Sequence, residues 1–522
     1  MMTKLTKQER EIISNNDNLR RYLESLLRGR KATPRSWLYE QIQSPEEVLA
    51  IWKTHLSTLE NGTKEEQEVY QFDTSQEAKW GPQGEVKPIT ELMDIVTAGF
   101  GESPTPKAFS SQAWKNAKNA LTALLKRKGI EALRPASYKR VVDDMRARDT
   151  LESNSGWPLF QRRSKPEVKE ASIRDAESGA WKDYPAIALF RNYNLKTRLV
   201  WMFPMSANLV EGSYFQVLQS ALINHNFLFL SPWVGFDRVR TVIGWTYNAE
   251  RKFIAASDFS STDAHFRLSA SLEVYDVIAP LFQARYRKGL RESLVHMHTI
   301  PLVISPDEKL VGDHGVSSGS NWTNFIETIF DWIVSIYCAE VTGLGYEGLY
   351  AIGDDMSWVS SRYDESFSDV LERIGEDVGQ VIKAEKTTNE RDKVKSLQRL
   401  FQRGYNRPDG DIRGVYPTIR ALKSSVYPER FHDPRRWSAD MFCARQFMIL
   451  ENCVDHPLFE EFVKFVCKGQ RDLIPFAKQS RPALDRILRK TKLLPGLNPT
   501  YNQERRDHSF ADFESIRIAS EL

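Results

Sequence analysis

The stretch LYAIGDDMSWVS, residues 349–360, sets two adjacent carboxylates, Asp354 and Asp355, between two apolar runs that read as strands. Neighbouring like charges repel, and a buried pair needs a cation to offset the repulsion. Gly-Asp also suits an ordinary hairpin turn, so the tripeptide alone decides nothing. Two further carboxylates, Asp258 and Asp263, are separated by four residues in ASDFSSTDAHF, at the end of the strand-like run RKFIAAS (251–257). If Asp258 and Asp354 share a site, the chemistry follows from the ligand type. Carboxylate oxygens suit hard cations, Mg²⁺ above all where phosphates complete the shell, with Mn²⁺ as the alternative. Two such ions clamp the attacking and leaving oxygens of an in-line phosphoryl displacement.

Between these carboxylates lies GVSSGSNWTNFIE, residues 315–327. The loop through Ser318 and Gly319 lets backbone approach a ligand closely, and Thr323 and Asn324 lie one turn into the helix that follows, within reach of a sugar. The same residues also read as a helix N-cap. Upstream, RNYNLKTRLVW carries Arg191, Lys196 and Arg198. Lys196 and Arg198 alternate, so on a strand they share one face, where they suit a triphosphate that must be steered and neutralised.

The surrounding elements must bring these groups together. Residues 1–150 read as mainly helical, and residues 150–250 carry more Pro, Gly and aromatics, with short strand-like runs such as TRLVWMF. After the 251–257 strand comes a helix with Leu268, Leu272, Tyr275, Ile278 and Phe282 on one stripe. A second helix, about 320–340, has the stripe Trp322, Phe325, Ile326, Ile329, Ile333 and Ile336, and the GDD hairpin follows it. Strand, helix, helix, hairpin is the order of a compact α+β unit, an antiparallel sheet backed by two helices. It sets Asp258 beside the 353–355 turn. After 405 the pattern is again mostly helical. His296 and His298 in HMH alternate like strand residues and lack an evident third metal ligand. GLGYEG (343–348) follows a helix and precedes a strand, the reverse of a dinucleotide fingerprint, so it reads as a loop.

Composition bounds the rest. At 522 residues, 41% hydrophobic and 27% charged, the chain has the make-up of a large folded protein with several subdomains. A net charge of +3 gives no general basic field, so any polyanion surface is local, as in LLRGRK, LKRKG, QRRSK and LDRILRKTK. Four cysteines without zinc spacing favour a reducing compartment. The charged N-terminus lacks a signal-peptide apolar region, no run is long and apolar enough to predict a membrane span, and no P-loop motif occurs.

Taken in order, D-x₄-D, SG-x₃-T-N and GDD resemble motifs A, B and C of viral RNA-dependent RNA polymerases. LKTRLVW resembles motif F, and ESNSGWP (152–158) is similar to motif G, with Ser153, Gly156 and Pro158 on the template path. VIKAEKTTN (381–389) resembles the motif D segment, where Lys386 aligns better than Lys383, and LFQRGY (400–405) is similar to motif E. The motifs cover residues 150–405 and look most like polymerases of double-stranded RNA viruses, picobirnaviruses first and partitiviruses second.

The resemblance implies an α+β right-handed fingers–palm–thumb fold, its palm an antiparallel sheet backed by helices and its active site closed by fingertips. Residues 1–245 would form the N-terminal region and fingers, 246–405 the palm with a fingers insertion, and 406–522 the thumb and tail. It implies Asp258, Asp354 and Asp355 as metal ligands and Lys386 as the acid for the leaving pyrophosphate. It further implies nucleotide contacts from Arg191, Lys196, Arg198, Asp263, Ser318, Gly319, Thr323 and Asn324. Partners would be RNA template and product, ribonucleoside triphosphates and a capsid protein, in the virion interior and host cytoplasm. One departure stands out. Many relatives carry Asn where this chain has Glu327, with Asn324 one turn earlier, so the partner of Asp263 stays open between them. The rivals are a reverse transcriptase, which would want Y-x-D-D and a bulky residue at position 263, and a non-enzymatic capsid-associated RNA-binding protein, which would not need Asp258, Asp354 and Lys386 together.

Overall fold

The structure is a computed structural model that describes residues 1–32, 44–148, 150–427, 433, 435–494, 497 and 508–522. The chain opens with a short strand, β1 (Met2–Lys4), and then a largely helical N-terminal region, as its charged amphipathic segments predict. In that region helix α1 (Lys64–Ser75) is capped by Thr63 and turns Val69, Phe72 and Asp73 inward. Strands β2 (Ala186–Tyr193) and β3 (Lys196–Met202) pair antiparallel through the turn Asn194–Leu195, both residues at positive φ. That turn has the twist hairpin strands need. Helix α2 (Met205–Asn224) was not legible in the sequence. It is buried almost all round, so it has no polar face to give a helical period.

Strand β4 (Phe253–Ser257) ends at Asp258 as expected, and one helical turn, α3 (Thr262–His265), precedes α4 (Leu268–Ile278). The buried face of α4 is Ala270, Ser271, Val274, Val277 and Ile278, whereas Leu268, Leu272 and Tyr275 of the predicted stripe are only half-buried. Ser271 meets the neighbouring helix α5 (Ala284–Thr299), its hydroxyl 2.6 Å from His298 Nε2. His296 and His298 therefore lie at the end of a helix, not on a strand. Burial pushes His298 down to about 3 and His296 down to about 4, so both are neutral structural side chains. Strands β5 (Leu302–Val303) and β6 (Glu308–Leu310) complete a five-stranded sheet of order β1-β6-β5-β2-β3.

Helix α6 (Trp322–Thr342) crosses the core and is buried on nearly every side from Trp322 to Cys338. It ends at Gly343 in the left-handed conformation, so the first four residues of GLGYEG form the loop expected, while Glu347 and Gly348 already belong to the following strand. Strands β7 (Glu347–Ile352) and β8 (Asp355–Ser360) form the hairpin, and with β9 (Thr388–Asn389) they make an antiparallel sheet of order β7-β8-β4-β9. Helices α4 and α6 back this sheet within one apolar core. It is the α+β unit predicted.

The hairpin of β10 (Lys393–Ser396) and β11 (Arg399–Gln402) leads into the C-terminal helices, beginning with α7 (Thr418–Val426). These helices share a second core with N-terminal residues including Trp52 and Phe72. The join is polar as well. The buried Asp73 carboxylate of α1 accepts the Thr418 and Ile419 N–H groups at 3.0 and 2.9 Å, capping α7 from another element, and meets His456 Nε2 at 2.8 Å. Among the described residues no helix is long and apolar enough to cross a membrane.

Candidate active site

The register Ser257↔Met356 sets the end of β4 beside the start of β8, which brings Asp258 next to Asp354 and Asp355. Ile352 pairs with Asp355, so Gly353 and Asp354 alone make the turn. Gly353 sits at φ +57°, the left-handed conformation that favours glycine, and a Cβ there would lie close to Asn324 Nδ2 of α6, at 3.2 Å. The Gly353 N–H is held by Thr328 Oγ1 of α6 at 2.8 Å. Asp354 is oriented from the other side, accepting the Thr262 hydroxyl of α3 at 2.8 Å.

Electrostatics in this cluster are strongly unbalanced. Burial and the neighbouring Asp354 and Asp258 charges push Asp355 up to about 8. Burial and Asp354 also raise Asp258, against the pull of Lys386 and Lys79. Burial raises Asp354 and Asp263, and Arg198 lowers both. Glu327 and Asp331, on α6 beneath the hairpin, are raised far more by burial and by these same carboxylates. Among the described residues no three His, Cys, Asp or Glu side chains are already gathered around one metal position. The donors are nevertheless all carboxylate oxygens, crowded so that each raises its neighbours despite the opposing pull of Lys386, Lys79 and Arg198. Such a set fits a hard divalent cation that takes one or two protein carboxylates and completes its shell with phosphate and water.

Opposite the carboxylates, Arg191 of β2 and Arg198 of β3 are direct cross-strand partners, with Tyr193 paired to Lys196. Arg191, Tyr193 and Arg198 line a cavity of about 950 Å³ together with Asp263, Ser318, Thr323, Asn324, Glu327 and Asp354. Lys196 stands exposed at the hairpin tip and does not line it. The Ser317–Asn321 loop is pressed onto β3: a Cβ on Gly319 would lie 1.6 Å from the Trp201 carbonyl oxygen. Ser320 Oγ accepts the Trp322 N–H at 3.1 Å, but Asn321 at the N-cap makes no side-chain capping bond, so the loop serves as a cavity wall rather than the expected cap. Asp263 is the second residue of α3 rather than its cap.

Lys386 ends a short 3₁₀ turn (Ala384–Lys386), and of the two motif D lysines it is the one whose charge acts on Asp258. Ser153, Gly156 and Pro158 do not line the cavity; they stand in a loop whose Gly156 N–H is held by Asn154 Oδ1 at 2.7 Å. Several cavity residues were not anticipated: Lys79 and Trp80 from the N-terminal region, Thr262, Gln398 at the β10–β11 turn, and Arg420 on α7. Thr262 lies within the D-x₄-D stretch, while Lys79, Trp80, Gln398 and Arg420 stand outside every motif that sequence spacing could flag. Glu327 was noted only as a departure, and here it lines the cavity within reach of the GDD turn.

Residues 77–82 form a strap along this wall. Lys423 Nζ of α7 donates to the Trp80 carbonyl at 3.1 Å, and Trp80 Nε1 donates to the Tyr427 carbonyl at 2.9 Å. On the other side Asn194 Nδ2 donates to the Ala78 carbonyl at 2.6 Å, and the Leu195 N–H to the Pro82 carbonyl at 2.8 Å. Trp80 stacks on Tyr193 at 5.8 Å between ring centres.

Comparison with known proteins gives a consistent result. The viral RNA-dependent RNA polymerase family matches residues 194–415. A potential RNA-dependent RNA polymerase of Human picobirnavirus (strain Human/Thailand/Hy005102/-) is 26% identical over 479 residues, 87% of this chain and 86% of the relative. An RNA-directed RNA polymerase of Cryptosporidium parvum virus 1 is 26% identical over 149 residues, 28% of each chain. The crystal structure of a human picobirnavirus RNA-dependent RNA polymerase superposes with a TM-score of 0.80 at 22% identity, covering 99% of this chain and 100% of that one. Its insertion-loop deletion mutant gives 0.77 at 22% identity, covering 94% and 97%. The fold is thus the fingers–palm–thumb fold.

Proposed function

We propose that this chain, whose residues 194–415 match the viral RNA-dependent RNA polymerase family, copies an RNA template by nucleotidyl transfer. The 3′-hydroxyl of the growing strand attacks the α-phosphate of a ribonucleoside triphosphate, and pyrophosphate leaves. The chain is an RNA-directed RNA polymerase. The observation that carries the mechanism is the meeting of Asp263 and Asp354 with Arg191 and Arg198 on one cavity.

Asp258 and Asp354 are the principal metal-holding carboxylates, with Asp355 secondary. Enzymes of this family use divalent metals, and Mg²⁺ is the ion proposed here, with Mn²⁺ as substitute. When bound, such ions supply Lewis-acid neutralisation of the attacking and leaving oxygens. Arg191 and Arg198 hold the triphosphate, with Lys196 at the hairpin tip steering it. Asp263, with Ser318, Gly319, Thr323 and Asn324, forms the ribose-facing wall. Lys386 gives a proton to the departing pyrophosphate. Ser153, Gly156 and Pro158 guide the template.

On the same reading, residues 1–245 are the N-terminal region and fingers, 246–405 the palm and 406–522 the thumb and tail. The enzyme replicates and transcribes a viral double-stranded RNA genome inside a capsid, in the virion and the host cytoplasm. The direct test is incorporation of labelled ribonucleotide on a single-stranded RNA template with Mg²⁺. Template-dependent product, lost on chelation, supports the reading. No product under these conditions overturns it.

A further inference from the structure

The loop proposed to face the nucleotide, residues 317–321, is anchored from behind by a group that touches neither cavity nor carboxylate cluster. Glu211 lies on α2 and is 1% exposed. Its carboxylate accepts the Ser320 hydroxyl, and the Asn321 N–H at 3.0 Å. It also accepts Asn208 Nδ2 at 2.8 Å. Asn208 is fixed in its own right: its Nδ2 reaches the Gly319 carbonyl at 3.2 Å, and its Oδ1 accepts Arg163 Nη2 at 2.8 Å. Arg163 in turn donates through Nε to the Asn154 carbonyl at 3.1 Å, and its N–H to the Ser153 carbonyl at 3.0 Å. Each polar atom of the Asn208 amide thus has a defined role, so the amide has one orientation.

The network runs without a break from the Ser153–Arg163 loop, through Arg163, Asn208 and Glu211, to Gly319, Ser320 and Asn321. The loop cannot drift toward β3, because Gly319 already rests on the Trp201 carbonyl. Glu211 holds it from the opposite side. A buried carboxylate with three donors is worth more than a neutral acceptor, and its loss leaves those donors unpaired.

We propose that Glu211 is a positioning residue for nucleotide selection, holding the Ser317–Asn321 loop in place and tying it through Asn208 and Arg163 to the Ser153–Arg163 loop on the template side. The role in nucleotide selection rests on the polymerase reading above; the tie between the loops does not. The test uses the full chain and four variants: Glu211→Ala, Glu211→Gln, Asn208→Ala and, as a packing control on the same helix, Leu218→Ala. Hydrogen exchange without substrate is followed in peptides spanning 153–163 and 315–323. Nucleotide KM and kcat are measured on a fixed RNA template.

Glu211→Ala and Asn208→Ala should speed exchange in both peptides and raise nucleotide KM about tenfold, the effect of a small displacement of a positioning loop. Glu211→Gln keeps an acceptor for Asn321 and Asn208 and should stay within about threefold of wild type in KM. Leu218→Ala should lower melting temperature without moving either peptide. Unchanged exchange in both peptides overturns the tie. Faster exchange with unmoved KM, or an equal KM rise in Leu218→Ala, overturns the positioning role. If Glu211→Ala does not fold, Asn208→Ala carries the same two readouts. If the wild type makes no RNA, the polymerase reading fails while hydrogen exchange still judges the tie.

Discussion

Arg191 and Arg198 stand directly opposite each other across β2 and β3, on the wall of the cavity that also holds Asp263 and Asp354. Two guanidinium groups on one face present permanently charged planar forks that match the oxygens of a triphosphate. Arg198→Ala should therefore raise the apparent nucleotide KM by about tenfold or more, the worth of a charge-assisted contact of about 1.5–3 kcal/mol. Arg198→Lys should restore it only in part, because the planar fork is lost. Steady-state kinetics on a fixed template measures this, and an unchanged KM in both variants would refute the triphosphate role.

Asp354→Ala and Asp258→Ala should each cut incorporation on the order of a thousandfold, since the lost interaction serves the transition state rather than template binding. Template affinity, read by fluorescence anisotropy, should stay close to wild type. Activity within tenfold of wild type in either variant would sink the assignment.

Lys386 and Lys383 separate cleanly. Of the two, Lys386 is the one whose charge acts on Asp258, so Lys386→Leu should slow single-turnover incorporation by about a hundredfold, within the usual range for a lost general acid. Lys383→Leu should leave it nearly intact. The reverse pattern would move the acid to Lys383.

Stability should carry the mark of Glu211. Burial raises its carboxyl from about 4.5 to about 7 in the fold, against the pull of Ser320, Asn208, Asn321 and Arg163. Between those values the unfolded chain binds fewer protons than the folded one, so this group makes stability fall as pH rises through that window and level off above it. Glu211→Gln should flatten that part of the melting-temperature curve. Identical curves for both proteins would contradict the assignment.

Asp263 should set the preference for ribonucleotides. A buried acceptor facing a 2′-hydroxyl is left unpaired by a deoxyribonucleotide, and sites built this way can reject the analogue strongly. Asp263→Ala should reduce ribo- over deoxyribonucleotide selectivity by roughly tenfold or more. Paired incorporation assays check this. A fall in melting temperature with unchanged selectivity would leave Asp263 a purely structural residue.

The parts legible in the sequence are those with strong local signals. The GDD turn announces itself through glycine between two apolar strands, and Asp258 through the end of a strand. Helix α6 was readable from its apolar residues, although its full burial exceeds any one stripe. What escaped was encoded by partners far away. Helix α2 has no polar face, and the cavity residues Lys79, Trp80 and Arg420 arrive from regions that carry no motif. His296 and His298 read as alternating because polar side chains at a helix end can be buried by neighbours, here Ser271 and Trp181, that the local pattern does not contain.

The strap at residues 77–82 couples two walls that come from distant parts of the chain. It is hydrogen-bonded to α7 on one side and to the Asn194–Leu195 turn on the other, so it ties the α7 side of the cavity to the β2–β3 side. Separating those two walls means first breaking the strap's contacts with Lys423 and Asn194.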